Sequence, residues 1–152
     1  MFRNWWIAAL VIAADRVTKS LAAGLTGPVT LVPGVLGLRL GANTGVAFSL
    51  LSGHPVLLGF LSLVIIAAGF LLLRRLDLGP LSCVGAMLVM GGALSNMVDR
   101  FLNGYVVDMI EFLFVQFPIF NVADTAITVG VGLLILSLLF KPEEWENRHG
   151  AS

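Results

Sequence analysis

Three stretches of this chain carry no formal charge for about as long as a bilayer is thick, and that constrains the fold more than anything else in the sequence. Residues 40–73 contain no Asp, Glu, Lys or Arg, and within them Pro55 to Leu73 is strongly apolar. Residues 78–98 form a second charge-free run, and 125–140 a third that extends back across Asp124 to Val122. A helix of roughly 20 mostly apolar residues crosses the hydrocarbon core, which predicts spans at about 56–74, 80–98 and 121–140. The composition agrees: only 12% of the 152 residues are charged, where a soluble domain carries roughly a quarter. The chain therefore reads as an integral membrane protein. Its formal net charge of zero gives no reason to expect a nucleic-acid partner. A single cysteine, Cys83, excludes an internal disulfide, and with two histidines it makes a zinc cage a poor fit.

The N-terminus is less clear-cut. Arg3 followed by the short apolar run Trp5–Ala14 resembles a secretory signal peptide. A better reading is a fourth span at about 4–23 with a polar stripe near its outer end, because Asp15 and Lys19 stand i,i+4 and can pair on one helical face. Arg3, Arg74, Arg75, Lys141 and Arg148 fall on one side of this topology, and Arg39 and Arg100 on the other. That bias puts both termini in the cytoplasm. Trp5, Trp6 and Trp145 suit interface anchors, Trp145 alternatively belonging to a solvated tail.

Two segments then face outward. In residues 24–55, Gly and Pro punctuate short apolar runs, predicting strands over Val29–Leu40 and a short interfacial helix at Val46–Leu51. In 100–119, Tyr105–Phe112 reads as a strand. No repeat or low-complexity stretch divides the chain, so a single domain over 1–152 is expected. Gly91-Gly92, with Gly85 and Ala86, reads as a close helix-packing face, and Cys83 as a small packing residue.

Carboxylates near a bilayer are costly unless paired, hydrated or protonated. Asp15, Asp99, Asp108, Glu111 and Asp124 all gather at the outward side. Asp99, beside Arg100, reads as a structural ion pair on a face shared with Asn96. Glu111 reads as facing water or Arg39, and the tail acids Glu143, Glu144 and Glu146 as merely solvated. Asp108, within Val-Val-Asp-Met-Ile, has no adjacent cation. Asp124 follows Asn121 by three residues, so the pair reads either as a helix cap or as part of a site. Two carboxylates that share a proton can activate water, which makes Asp108 and Asp124 candidates for an intramembrane aspartyl hydrolase. His54 and His149 lie on opposite sides, and no His-Glu-x-x-His pattern occurs, which disfavours a Ser/His/Asp set and a metalloprotease. The competing classes are a small proton-coupled transporter or channel subunit, whose acids belong nearer the midplane, and a structural scaffold, which leaves Asp108 unexplained.

Read in order, Asp15-Arg-Val-Thr-Lys19, Asn43-Thr-Gly-Val-Ala-Phe48, Gly91-Gly-Ala-Leu-Ser-Asn-Met-Val-Asp-Arg100, Gly104-Tyr-Val-Val-Asp108 and Phe117-Pro-Ile-Phe-Asn-Val-Ala-Asp124 resemble the motif series of the lipoprotein signal peptidases, the type II signal peptidases of bacteria. The resemblance covers essentially the whole chain. It implies a membrane α-helical fold of four transmembrane helices with a small extracytoplasmic β-cradle and a short interfacial helix. It implies a multi-pass protein of the bacterial cytoplasmic (inner) membrane that removes signal peptides from diacylglyceryl-modified prolipoproteins, cutting before the lipidated cysteine. Membrane lipid is then a partner, no metal or organic cofactor is expected, and nothing demands a second subunit. By motif position the catalytic pair maps to Asp108 and Asp124, and the supporting set to Asp15, Lys19, Asn43, Asn96, Asp99, Arg100, Asn121 and Ala123. Asn43 and Arg100 suit substrate positioning or site organisation, and Asp15 with Lys19 bracing of the first span. The chain departs from the family at Ser95, where Gly often precedes the Asn, at Val46 and at Thr125. The short segment from Glu111 to Phe117 implies a reduced outward loop over the site.

Overall fold

The computed structural model describes residues 4–45 and 53–147, so the expected interfacial helix at Val46–Leu51 lies outside the described residues, as do Arg148, His149 and the side chain of Glu146. In chain order the elements are α1 (Trp5–Ala22), β1 (Val29–Val32), β2 (Leu36–Asn43), α2 (Pro55–Leu73), β3 (Leu76–Leu78), α3 (Pro80–Asn103), β4 (Val106–Phe112), α4 (Val122–Phe140), a 3-10 turn (Pro142–Glu144) and β5 (Trp145–Asn147). Among the described residues α2, α3 and α4 are long and apolar enough to cross a membrane. Helix α1 is as long as expected but carries Asp15, Arg16 and Lys19.

Proline starts two of these helices. Pro55 and Pro80 occupy the first turns of α2 and α3, where the missing N–H costs nothing. Helix α3 runs to Asn103, past the expected end near residue 98. The polar residues that suggested a boundary face inward instead: Asp99 and Arg100 are both buried.

Helix α3 is the centre of the bundle and packs on α1, α2 and α4. Its glycine face works as the sequence implied. A side chain at Gly92 would run into the carbonyl of Ala123, and one at Gly85 would come within 2.9 Å of the Gly130 carbonyl. Cys83, Ala86 and Met87 form a buried cluster on the same helix. In contrast α2 and α4 expose rows of Leu, Ile, Val and Phe, as a lipid-facing surface requires.

Strands β1, β2 and β4 make an antiparallel sheet in that order. Val32-Pro33-Gly34-Val35 turns β1 into β2: the Val35 N–H donates to the Val32 carbonyl at 3.0 Å, with Gly34 at φ 70°. Proline second and a left-handed glycine third is the signature of a type II turn. The strand boundaries lie close to the expected ones, β2 extending three residues further to Asn43.

At the opposite end of the bundle the tail does not behave as expected. Glu144 is buried rather than solvated, and its Oε2 accepts from the Ser82 N–H and hydroxyl, each at 2.8 Å. The first turn of α3 has free amide donors and no side-chain cap of its own, so a carboxylate from the tail fills that role. Trp145 packs back as well, donating its indole N–H to Ser137 Oγ at 3.1 Å.

Candidate active site

The C-terminal end of α1, the C-terminal end of α3 and the N-terminus of α4 meet beneath the sheet, and Asp15, Lys19, Asn43, Asn96, Asp99, Arg100, Asp108, Asn121 and Asp124 converge there. Asp108 arrives on β4. The β2–β4 register sets Asn43 opposite Val106, two residues from Asp108 and hence on the same face of the sheet. Asn43 Nδ2 donates to Asp108 Oδ2 at 3.0 Å.

Phe120 places the other carboxylate. Its carbonyl accepts from the Met109 and Ile110 N–H groups, and its own N–H donates to the Ile110 carbonyl. This pins the approach to α4 against β4, so Asn121 lies beside Asp108. Asn121 then does two jobs. Its Oδ1 accepts from the Asp124 N–H at 2.8 Å while its N–H donates to Asp124 Oδ2 at 3.3 Å, a reciprocal capping box. Its Nδ2 donates to Asp108 Oδ1 at 2.7 Å. The cap and the site, alternatives in the sequence, coexist because the amide has two ends.

Asn96 on α3 closes the arrangement. Its Nδ2 donates to Asp124 Oδ1 at 2.7 Å, and its Oδ1 accepts from Lys19 Nζ at 3.0 Å and Asn121 Nδ2 at 3.2 Å. Two donors on the oxygen fix the amide, so its N–H groups must face Asp124. Lys19 also pairs with Asp15 and Asp99, each at 2.6 Å. Asp15 Oδ1 in turn accepts from the Ala123 N–H at 3.0 Å, a second capping interaction on α4 supplied by another helix.

One expectation changes. Asp99 does not pair with Arg100; it pairs with Lys19 and, at 2.7 Å, with Arg16. Adjacent helix residues point about 100° apart, so neighbours in sequence do not share a face. Arg100 instead donates to the Gly45 carbonyl at 3.1 Å and the Asn96 carbonyl at 3.3 Å. Glu111 takes the Arg39 alternative, at 2.6 and 3.1 Å, on the exposed side of the sheet. His54 is exposed at the start of α2, outside the cluster. The segment after β4 is short, with Phe112 packed on Phe114, Phe117 and Phe120. Sequence reasoning gave no role to Arg16 and treated Ser95 only as a departure; Arg16 falls on the same helical end as Lys19, which was the available signal.

Electrostatics set the protonation. Burial pushes the Asp108 carboxyl up to about 6, the negative charge of Asp124 adds to this, and the Asn43 and Asn121 donors and the Lys19 charge oppose it. The wider cluster argues the same way. The carboxylates of Asp15, Asp99, Asp108 and Asp124 face the cations of Arg16, Lys19 and Arg100, so one retained proton balances the charge. Two linked carboxyls holding one proton between them can activate a water and protonate a leaving group.

The sequence model of the signal peptidase (SPase) II family matches residues 7–140. The lipoprotein signal peptidase of Thermosynechococcus vestitus is 42% identical over 143 residues, covering 88% of this chain and 89% of that one. The lipoprotein signal peptidase of Nostoc sp. is 38% identical over 156 residues, covering 96% of each. A bacterial membrane enzyme solved by the in meso method at 2.3 Å superposes with a TM-score of 0.82 at 33% identity, covering 88% of this chain and 85% of that one.

Proposed function

The chain belongs to the signal peptidase II family, and we propose that Asp108 and Asp124 are the pair that carries its chemistry. The protein is an aspartic peptidase that cleaves signal peptides from prolipoproteins. The observation that carries the assignment is the single amide of Asn121, which donates to Asp108 at 2.7 Å and reciprocally caps Asp124. The pair shares one proton, and in this reading Asp108, whose carboxyl burial raises to about 6, carries it. Asp124 takes a proton from water, the water attacks the scissile carbonyl, and Asp108 donates its hydrogen bond to that oxygen. Proton return to the amine completes cleavage.

Asn43 and Asn121 orient Asp108, and Asn96 orients Asp124. Lys19, Asp15 and Asp99 hold α1 against α3, with Asp15 reaching the Ala123 N–H. Among the described residues the Nε of Arg100 has no hydrogen-bond partner, which suits a side chain that positions substrate backbone.

The substrate is a diacylglyceryl-modified prolipoprotein cut before its lipidated cysteine. Helix α1 is the fourth span: its charges point into the bundle, with Asp15 and Lys19 buried against α3. Both termini lie in the cytoplasm and the site lies near the outer leaflet of the inner membrane, a reading supported by the basic residues Arg74, Arg75 and Lys141 at the other end. The single domain carries the whole set of site groups and works as a monomer in lipid, with no nucleic-acid partner. The transporter alternative has no support, since the acids gather at one end of the bundle and the relatives are peptidases.

Asp108→Asn and Asp124→Asn should each abolish processing of a lipidated precursor, followed by gel shift, while the protein keeps its cooperative unfolding in detergent. Full activity in either variant would sink the pair.

A further inference from the structure

Ser95 sits on α3 immediately before Asn96 and is fully buried. Its Oγ donates to Asp15 Oδ2 at 2.7 Å. The hydroxyl has one proton, and its direction is fixed from outside: Arg16 Nη2 lies 3.4 Å from the same Oγ and donates to the Ser95 carbonyl at 2.7 Å. With a guanidinium on its acceptor side, the hydroxyl proton points at Asp15.

Asp15 is therefore held from three sides. Oδ2 takes Ser95 Oγ and Lys19 Nζ, and Oδ1 is left to the Ala123 N–H at 3.0 Å. Ala123 directly precedes Asp124 in the first turn of α4. The consecutive residues Ser95 and Asn96 thus grip α4 twice: Asn96 directly at the Asp124 carboxylate, and Ser95 through Asp15 at the backbone one residue earlier.

We infer that Ser95 is a positioning residue for the peptidase reaction, which holds Asp15 so that Asp15 sets the placement of Asp124 relative to Asp108. This rests on the assignment of Asp108 and Asp124 as the reacting pair. Among the described residues the Ser95 side-chain hydrogen bonds reach only Asp15 and Arg16, so its effect falls on the reaction step and not on substrate affinity. Alignment of reacting groups is sensitive to small displacements, while the hydroxyl itself contributes one hydrogen bond to a charged acceptor.

The test measures kcat and KM separately, on a synthetic diacylglyceryl peptide in detergent, for Ser95→Ala and Ser95→Cys. Cysteine is close to serine in size and a poor donor. Both variants should lose about 3- to 10-fold in kcat, less than the ~10- to 150-fold a full hydrogen bond to a charged acceptor is worth, because Lys19 and the Ala123 N–H still hold Asp15, with KM within about 2-fold. In an Asp15→Ala background, Ser95→Ala should cause no further loss in kcat, because the acceptor is gone. Unchanged kcat in Ser95→Ala, activity restored by Ser95→Cys, or a loss appearing in KM alone would each overturn the inference. If Asp15→Ala does not fold, the Ala and Cys variants decide by themselves. An inactive Asp124→Asn beside a fully active Ser95→Ala refutes the role of Ser95 only; an active Asp124→Asn refutes the pair itself, whatever Ser95 does.

Discussion

Replacing Asn43 by alanine should move the high-pH limb of the reaction upward, and the structure gives the size of the move. Asp108 titrates near 6 because burial and the charge of Asp124 outweigh two amide donors and Lys19. Asn43 Nδ2, 3.0 Å from Oδ2, is one of those donors. Unlike Asn121 it caps no helix; its other bond is from the Gly45 N–H to its Oδ1. A hydrogen bond to a charged acceptor contributes about 1.5–3 kcal/mol, and one pH unit corresponds to about 1.4 kcal/mol. The bond favours the ionised form, so its loss lets Asp108 keep its proton to a pH about one to two units higher. In the proposed mechanism Asp108 donates to the carbonyl and must be protonated, so kcat/KM falls as pH rises through its titration. The wild-type limb is then expected near 6 and the Asn43→Ala limb at about 7–8. The assay is the pH dependence of kcat/KM on a lipidated precursor peptide in detergent. The maximal rate will fall too, since the site loses a contact, so the position of the limb is the quantity to read. A limb that stays in place or moves to lower pH would refute both the proton assignment and the role given to Asn43.

Gly92→Ala should cost both stability and activity, because its new methyl meets the Ala123 carbonyl of α4; overpacking costs about 1–3 kcal/mol, read as a lower unfolding midpoint together with reduced cleavage. Asp99→Ala strips a carboxylate shared by Lys19 and Arg16 and should cost about 3–5 kcal/mol, with lost activity; a normally stable but inactive variant would instead argue that Asp99 takes part in the chemistry. Glu144→Gln should lower stability by about 1–3 kcal/mol at neutral pH without touching kcat. Burial opposes ionisation of Glu144, but the Ser82 N–H and hydroxyl and the Lys141 charge outweigh it and hold the carboxyl below its usual range. Its contribution is thus present above the unfolded-state value and disappears as pH falls through the folded one, so the variant and wild-type midpoints should converge in acid. Arg39→Ala, at a half-exposed pair with Glu111, should change stability by less than about 1 kcal/mol.

The sequence by itself determined what depends on near neighbours and on solvent. Charge-free length located three helices, and Gly and Pro punctuation located strands within Val29–Leu40, while the Pro33-Gly34 turn that joins β1 to β2 was seen only in the structure. The i,i+4 spacing gave the Asp15–Lys19 pair, which forms at 2.6 Å. The ordered motif series pointed to the family and to Asp108 and Asp124. Tertiary structure decided the partners. Asp99 chose Lys19 and Arg16 on another helix over its neighbour Arg100, since adjacent side chains on a helix diverge while packed helices bring distant ones together. Asn121 became cap and bridge at once because Phe120 fastens its segment to β4. Ser95 reached Asp15 across 80 positions of sequence, and Glu144 reached Ser82 across 62. A buried polar group must find a partner, and periodicity can say that it will be buried; which partner it finds is fixed only when the helices are packed.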